Sequence, residues 1–515
     1  MLIVPRPGAP PCPSSRRPPP AQAPVTASPK ARSASGVWFG NTAWPCGSSP
    51  GAFARDVFRL EGCKTEREKA LAFYTWFQRC MMRGPNLKLP GLGGYIHCTD
   101  PHLLFTSWGH NECTGWGFVA VEALQAAGLK ARRAVTNNSG HTFYEVWYKG
   151  LDGREGWHAF DPFIGWYFTN AAGEVASCEE LAARPDLVTH PRPGGPARLG
   201  HHPERAGVLH RYQVGDNLDV QQPLAGHELR YELQPGMVFS NLWRPELPHQ
   251  ALHWDEKHRE GSHCDVSLYD EEGKPRFAEH FPYWKHYVWP AHGKDVRWHG
   301  CGALRWQPLL LGAEAACEHA HAVFEDGTLR PSGAKKHCEV WWRVKLPYLA
   351  SHLHLNVAAD TGGGDLLGFS LSPDAGRSRH SFYWKPGAPP KLITVGSADS
   401  PGIKGLREFW LRVDLSTQSA ASPLRLRGLQ ICAGYQQNMH LQPRLLPGAN
   451  ELYLQAERLD GAKLVAEWNY THPEGERSQS VELAGSGRAE IQFDPRAARP
   501  EDLIMRGVTL RCLPA

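Results

Sequence analysis

Three residue types that together run thiol chemistry stand in chain order at Cys113, His141 and Asp161. Cys113 precedes FVAVEALQAAG, whose spacing predicts a helix over about 114–127, with Gly128 suited to a left-handed cap. A helix N-terminus favours a thiolate through its dipole and its free amide groups. His141 opens HTFYEVWY and Asp161 closes WHAFD, two stretches of high β-propensity joined by the turn LDGREG. If they pair as antiparallel neighbours, the aspartate can hold the imidazole tautomer while the imidazole takes the thiol proton. Each residue also has a plainer reading. A cysteine at a helix start is commonly buried filler, and a single strand histidine is commonly structural.

The neighbours of this trio bear on its chemistry. Glu112 stands directly before the cysteine, where a carboxylate would raise the thiol pKa. TGWG follows it, placing Trp116 between two glycines in a first turn that is either open or pressed against a ligand. Trp108, through its indole N–H, and Asn111 are candidate oxyanion donors, assisted by the Cys113 backbone amide. Asn137, Asn138 and Ser139 precede His141 and either line a rim or form a turn. Tyr144, Trp147, Trp157, Trp166 and Tyr167 supply flat faces for a substrate.

The elements that must position these groups are legible in part. TEREKALAFYTWFQRCMM opens on a capping-box pattern, Thr65 with Glu68. Ala70, Phe73, Tyr74, Phe77 and Met81 then recur at helical spacing, predicting a helix over 65–82. On the next helix, Phe118, Ala120, Val121 and Leu124 form the expected inner face. ARRAV reads as a short strand, and alternation puts His141, Phe143, Glu145 and Trp147 on one strand face. PGLGGYIHCTDP reads as a loop, with adjacent His97 and Cys98 in structural roles. GEVASCEELAARPDL predicts a short helix, and PRPGGPARLG a linker. Residues 1–36, rich in Pro, Ser and Arg, form a tail too polar to bury. From about residue 206, short strands separated by Gly, Pro, Asp and Ser carry the signature of sandwiches.

This block resembles the transglutaminase-like superfamily, which shares the papain-type fold. The features that carry it are Cys113 opening a helix, AAGLKARRAV, the histidine-led HTFYEVWY and GWHAFDP, in that order, preceded by the 65–82 helix. The resemblance covers residues 65–175, about one fifth of the chain. It implies that the α+β domain over 37–205 is a transglutaminase-like core, while the strand patterning beyond it reads as a jelly-roll-like β region of one or more units over 206–436 and an immunoglobulin-like sandwich over 437–515. It further implies Cys113 as nucleophile, His141 as base and Asp161 as its orienter. Trp108 and Asn111 would assist, and Tyr144, Trp116, Trp147 and Trp166 would contact substrate.

The reaction expected on that basis is thiol-dependent acyl transfer on a peptide amide, with hydrolysis as the default. The other reading is carbohydrate chemistry, such as lyase action on an acidic polysaccharide, with a non-catalytic binding protein as a third. No loop carries the carboxylate density of a calcium site, so no cofactor is expected. A net charge of +4 with 21% charged residues argues against a nucleic-acid footprint. The absence of an 18-residue apolar run argues against a spanning helix. Thirteen cysteines without a CxxC pair fit reduced thiols and a cytoplasmic location. A different start to the chain would make it secreted.

Overall fold

The computed structural model describes residues 26–27, 33–83, 88–91, 94–111, 113–135, 141–162, 167–189, 229–242, 302–333, 336–362, 364–386, 391–395, 403, 405–418, 424–499 and 502–515. Of the tail expected over 1–36, residues 26–27 and 33–36 instead lie in strands, with Ala34 buried. Residues 1–25 and 28–32, the linker at 191–200, Glu112, Asn137, Asn138, Ser139 and Trp166 lie outside the described residues, as does the His97 side chain.

Three helices and a small sheet form the part that carries Cys113. Ser49 caps the Pro50–Leu60 helix by accepting from the Ala52 amide. The helix expected over 65–82 runs Glu66–Cys80, and Thr65 and Glu68 form the reciprocal capping box. The third helix runs Cys113–Ala126 and is buried on every side from Gly115 to Leu124, where an amphipathic stripe was expected. Such a helix belongs inside a core rather than on one. It stops at Gly128, whose φ of +89° lets the Leu129 amide return to Leu124 O. Ala131–Val135, Thr142–Lys149 and Glu155–Phe160 follow as an antiparallel three-stranded sheet. One face of that sheet, through Tyr144, Val146 and Tyr148, packs on Phe73, Phe77, Phe105, Trp116 and Leu124. The other face buries Phe143 and Ala159 against Phe168, Cys178 and Leu181. Each large side chain so buried stabilises the fold by about 1.5–3 kcal/mol before entropy is charged against it.

Strands dominate everything else. A six-stranded sheet takes His337–Lys345, Glu408–Ser416, Leu366–Ser372 and His380–Pro386 as consecutive neighbours. A ten-stranded sheet is centred on Leu349–Asp360 paired with Arg425–Gln436. Val340, Trp342 and Leu411 from the first sheet and Leu353, Leu355 and Ile431 from the second share one apolar core.

Strand pairing crosses long stretches of sequence. Ser33–Asn41 pairs with Asn450–Ala456, and Val238–Leu242 pairs with Ile504–Pro514. Asn438 ties the helical part to the sheets: its side-chain amide donates to Cys80 O and Phe105 O at 2.8 Å each. Its backbone amide donates to Thr106 O at 2.8 Å.

The expected fold class is corrected accordingly. The chain is a β-dominated mixed α+β structure, not the two-lobed transglutaminase-like or papain-type architecture followed by jelly-roll and immunoglobulin-like sandwiches. The physical reason is the pairing itself. An appended sandwich satisfies its strands within its own segment, whereas here sheets are closed by strands hundreds of residues apart.

Candidate functional site

Cys113 sits where the chain turns from strand to helix, and the approach to it is tightly specified. A five-residue π-turn over Leu104–Trp108 ends at Gly109, whose amide donates to Leu104 O at 2.8 Å. Gly109 has φ +71°, and a Cβ there would meet the Asn438 side chain at 2.7 Å. Both facts require glycine. The chain then enters the two-residue strand His110–Asn111, parallel to Met82–Arg83, and starts the helix at Cys113.

The structure brings three of the expected residues into a line. His141 Nε2 lies 2.5 Å from Asp161 Oδ2, and both groups are buried. His141 and the backbone N–H of Thr142 are the neighbours that act on the Cys113 thiol to lower it. Burial is the largest single influence on each group. For Cys113 it would raise the pKa, yet the His141 hydrogen bond and charge hold the thiol below its ordinary value. For His141 burial would lower the pKa, but the charge and hydrogen bond of Asp161 carry the imidazole up to about 10. Burial opposes charge on both groups, and the imidazole beside the thiol and the carboxylate beside the imidazole are what favour it.

The other expected site residues are placed differently. Trp108 and Asn111 are buried. The Asn111 side-chain amide is turned toward Leu104 O at 3.5 Å. Trp116 is a core side chain: its Nε1 donates to Asn111 O at 3.0 Å and its ring meets Phe77 edge-on. Tyr144 is likewise in the core, stacked on Phe160. Trp147 is half-buried on the sheet's outer side, T-shaped against Trp157 at 5.3 Å. Lys130 stands 4.1 Å from the Trp147 ring, and Arg132 lies 4.0 Å from that of Trp157.

A second cluster was not anticipated. His337, Glu339 and Asp414 form the one group of three His, Cys, Asp or Glu side chains, among the described residues, whose ligating atoms lie within 4.8 Å of one another. Alternation along His337–Lys345 puts His337 and Glu339 on one face, so the HxE spacing was the available signal. The Arg412 guanidinium lies 2.8 Å from Glu339 and 2.5 Å from Asp414. Arg412 thus already supplies the positive charge these carboxylates need. No helix among the described residues is long and apolar enough to cross a membrane.

No family model matches the chain, and no curated protein matches it. Among solved structures, a β-D-mannosidase from Dictyoglomus thermophilum matches with 10% identity and a TM-score of 0.12. That match covers 33% of this chain and 24% of the mannosidase chain, and a score this low carries no argument about fold.

Three expectations are corrected by these findings. The transglutaminase-like, papain-type resemblance has no support from any family comparison and does not describe the architecture. The expected thiol-dependent hydrolase or transferase activity is corrected as well, because the compact group of His, Cys, Asp and Glu side chains among the described residues contains no cysteine. A thiol beside an imidazole defines a charge pair, not a reaction. Nor do Cys113, His141 and Asp161 make one compact group: the mutually close trio is His337, Glu339 and Asp414.

Proposed function

We propose that the chain acts on an acidic polysaccharide by β-elimination, with proton transfer at Cys113 and His141 and with Asp161 only holding the imidazole. The observation that carries this reading is the coexistence of a base and an acid side by side, the lowered Cys113 thiol and the raised His141 imidazole. Elimination from a uronate needs both. The Cys113 thiolate takes the proton α to the sugar carboxylate, and the released electron pair forms the C4–C5 double bond. The C4–O glycosidic bond breaks, and the His141 imidazolium protonates the departing oxygen. The thiol and neutral imidazole left behind return to the charged pair by passing one proton from sulfur to nitrogen. Asp161 holds the ring throughout.

The outer side of the small sheet supports an acidic sugar chain as substrate. Trp147 and Trp157 with Lys130 and Arg132 combine aromatic faces with positive charge. They lie about six residues along the strand from His141, roughly 20 Å, a span of several sugar units.

The test is incubation of the full chain with a panel of uronate polysaccharides and of peptides, reading unsaturated-uronate absorbance and new amines in parallel. Unsaturated product that disappears in Cys113→Ala and in His141→Ala is expected. Release of amines without unsaturated product, or unsaturated product undiminished in Cys113→Ala, overturns the reading.

A further inference from the structure

The TGWG that follows the cysteine is explained by how closely two other segments approach the first turns of its helix. A Cβ on Gly115 would stand 2.5 Å from Asn111 Oδ1 and 2.6 Å from Asn111 Cβ. A Cβ on Gly117 would stand 2.9 Å from Thr142 Cγ2, with Arg133 Cδ and Cγ at 3.2 and 3.3 Å. Neither glycine has a positive φ, so backbone freedom is not the reason for either. What each supplies is space.

The space at Gly117 matters because of what Thr142 carries. Thr142 directly follows His141, it is buried, and its backbone N–H is a donor to the Cys113 sulfur. Its hydroxyl lies 3.5 Å from that of Thr114, on the same helical turn as the cysteine. Turning Thr142 about χ1 to clear Cγ2 either brings the hydroxyl into the methyl's place or carries it away from the Thr114 hydroxyl, and a β-branched side chain has few such wells open to it. If Thr142 keeps its present rotamer, the strand position gives way instead, and with it His141.

We propose that Gly117 is a positioning residue: by lacking a Cβ it seats Thr142 against the helix and so sets the spacing between Cys113 and His141. Gly117 is given no contact with substrate or reacting atom and acts through Thr142, which a Cβ there would meet more closely than it would meet Arg133. The inference rests on the reading of Cys113 and His141 as a charge pair, and holds whatever reaction that pair serves.

Alanine is the better helix former, so a purely local effect of Gly117→Ala would leave the helix more stable and the thiol unchanged. The proposal expects the opposite at the thiol. The experiment measures iodoacetamide labelling of each cysteine at neutral pH in the full chain by peptide mapping, across a pH series that gives the Cys113 pKa. Wild-type Cys113 labels fastest; Gly117→Ala slows it by about tenfold as its pKa moves up by about one unit. Adding Thr142→Ser, which removes the obstructing methyl and keeps the backbone N–H, restores the wild-type rate. Wild-type labelling in Gly117→Ala, or slow labelling that Thr142→Ser does not repair, overturns the proposal. Should Gly117→Ala alone fail to fold, the double variant decides. Folding with wild-type labelling supports the proposal, and slow labelling or failure to fold overturns it. A wild-type Cys113 no faster than the other cysteines would instead strike the charge pair itself.

Discussion

Asp161 reaches His141 through a 2.5 Å contact to Nε2, and so acts on the charge of a sulfur it does not touch. The carboxylate raises the imidazole, and the imidazole's hydrogen bond and charge lower the Cys113 thiol more than the carboxylate's own more distant charge raises it. Asp161→Asn keeps the shape and removes the charge. It is expected to slow iodoacetamide labelling of Cys113 at neutral pH by on the order of tenfold, with far-ultraviolet dichroism unchanged. Labelling at the wild-type rate would show that the aspartate plays no part.

The same pair makes a statement about stability and pH. His141 has a folded pKa of about 10 against an ordinary 6.5, so its contribution is complete below pH 6.5 and is lost as pH rises toward 10. Cys113 is lowered from 9.0, so its contribution is present above that value and lost as pH falls through its folded pKa. Between the lowered Cys113 pKa and 9.0 the two slopes oppose each other, and it is in that window that the comparison is made. Cys113→Ala removes one of them, and denaturant titrations should then show stability falling across that window more steeply than in wild type. A variant with the wild-type slope would contradict the assignment.

Asn438 offers a test of how the helical part is held to the sheets. It donates to Cys80 O and Phe105 O and accepts from the His440 amide at 3.1 Å. Asn438→Ala removes three bonds and strands two buried carbonyls, at a cost of about 3 kcal/mol. The expected readout is a lower denaturant midpoint with an unchanged m value; an unaltered midpoint would mean that the parts are held by apolar contact alone.

Glu174 is a comparable hub inside the small domain. It accepts from Tyr148 Oη at 3.0 Å, from the Leu151 and Val175 amides at 2.8 Å each, and from Arg67 at 2.8 Å. Burial would raise its carboxyl, yet these donors hold it below the usual 4.5. Its contribution is therefore present above pH 4.5 and lost as pH falls through the lowered value. Glu174→Gln should cost about 1–3 kcal/mol at pH 7 and lose that acid dependence, read by melting temperature across pH 3–6. An unchanged acid profile would place the dependence elsewhere.

At His337, Glu339 and Asp414, Arg412 stands in for a cation. Zinc is expected to leave the melting temperature of the wild type unchanged and to raise that of Arg412→Ala. A zinc-dependent rise in the wild type would show that the metal displaces the guanidinium.

What the sequence disclosed was local. The Thr65–Glu68 cap, the left-handed stop at Gly128 and the order of strand, turn and strand from Thr142 to Phe160 each depend on residues a few positions apart. Aromatic roles were not legible, because a large ring reads alike whether it faces a ligand or fills a core. Trp116 and Tyr144 fill the core, and the helix holding Trp116 has no polar stripe to reveal its orientation. The sheet partners were hidden for another reason. Ser33–Asn41 and Asn450–Ala456 are joined by register across most of the chain, and many alternating strands would satisfy the same pattern. The resemblance drawn from the Cys113 block therefore reached further than its residues.

The pairing of Val238–Leu242 with Ile504–Pro514 sets an order of events during synthesis. Until the final strand leaves the ribosome, Val238–Leu242 presents a bare edge to whatever strand is near, and the ten-stranded sheet waits more than two hundred residues for its rightful neighbour. Helices near Cys113 can assemble as they emerge, but this pairing waits until Ile504–Pro514 has emerged. A nascent chain of this protein is thus a client for any factor that shields exposed strand edges.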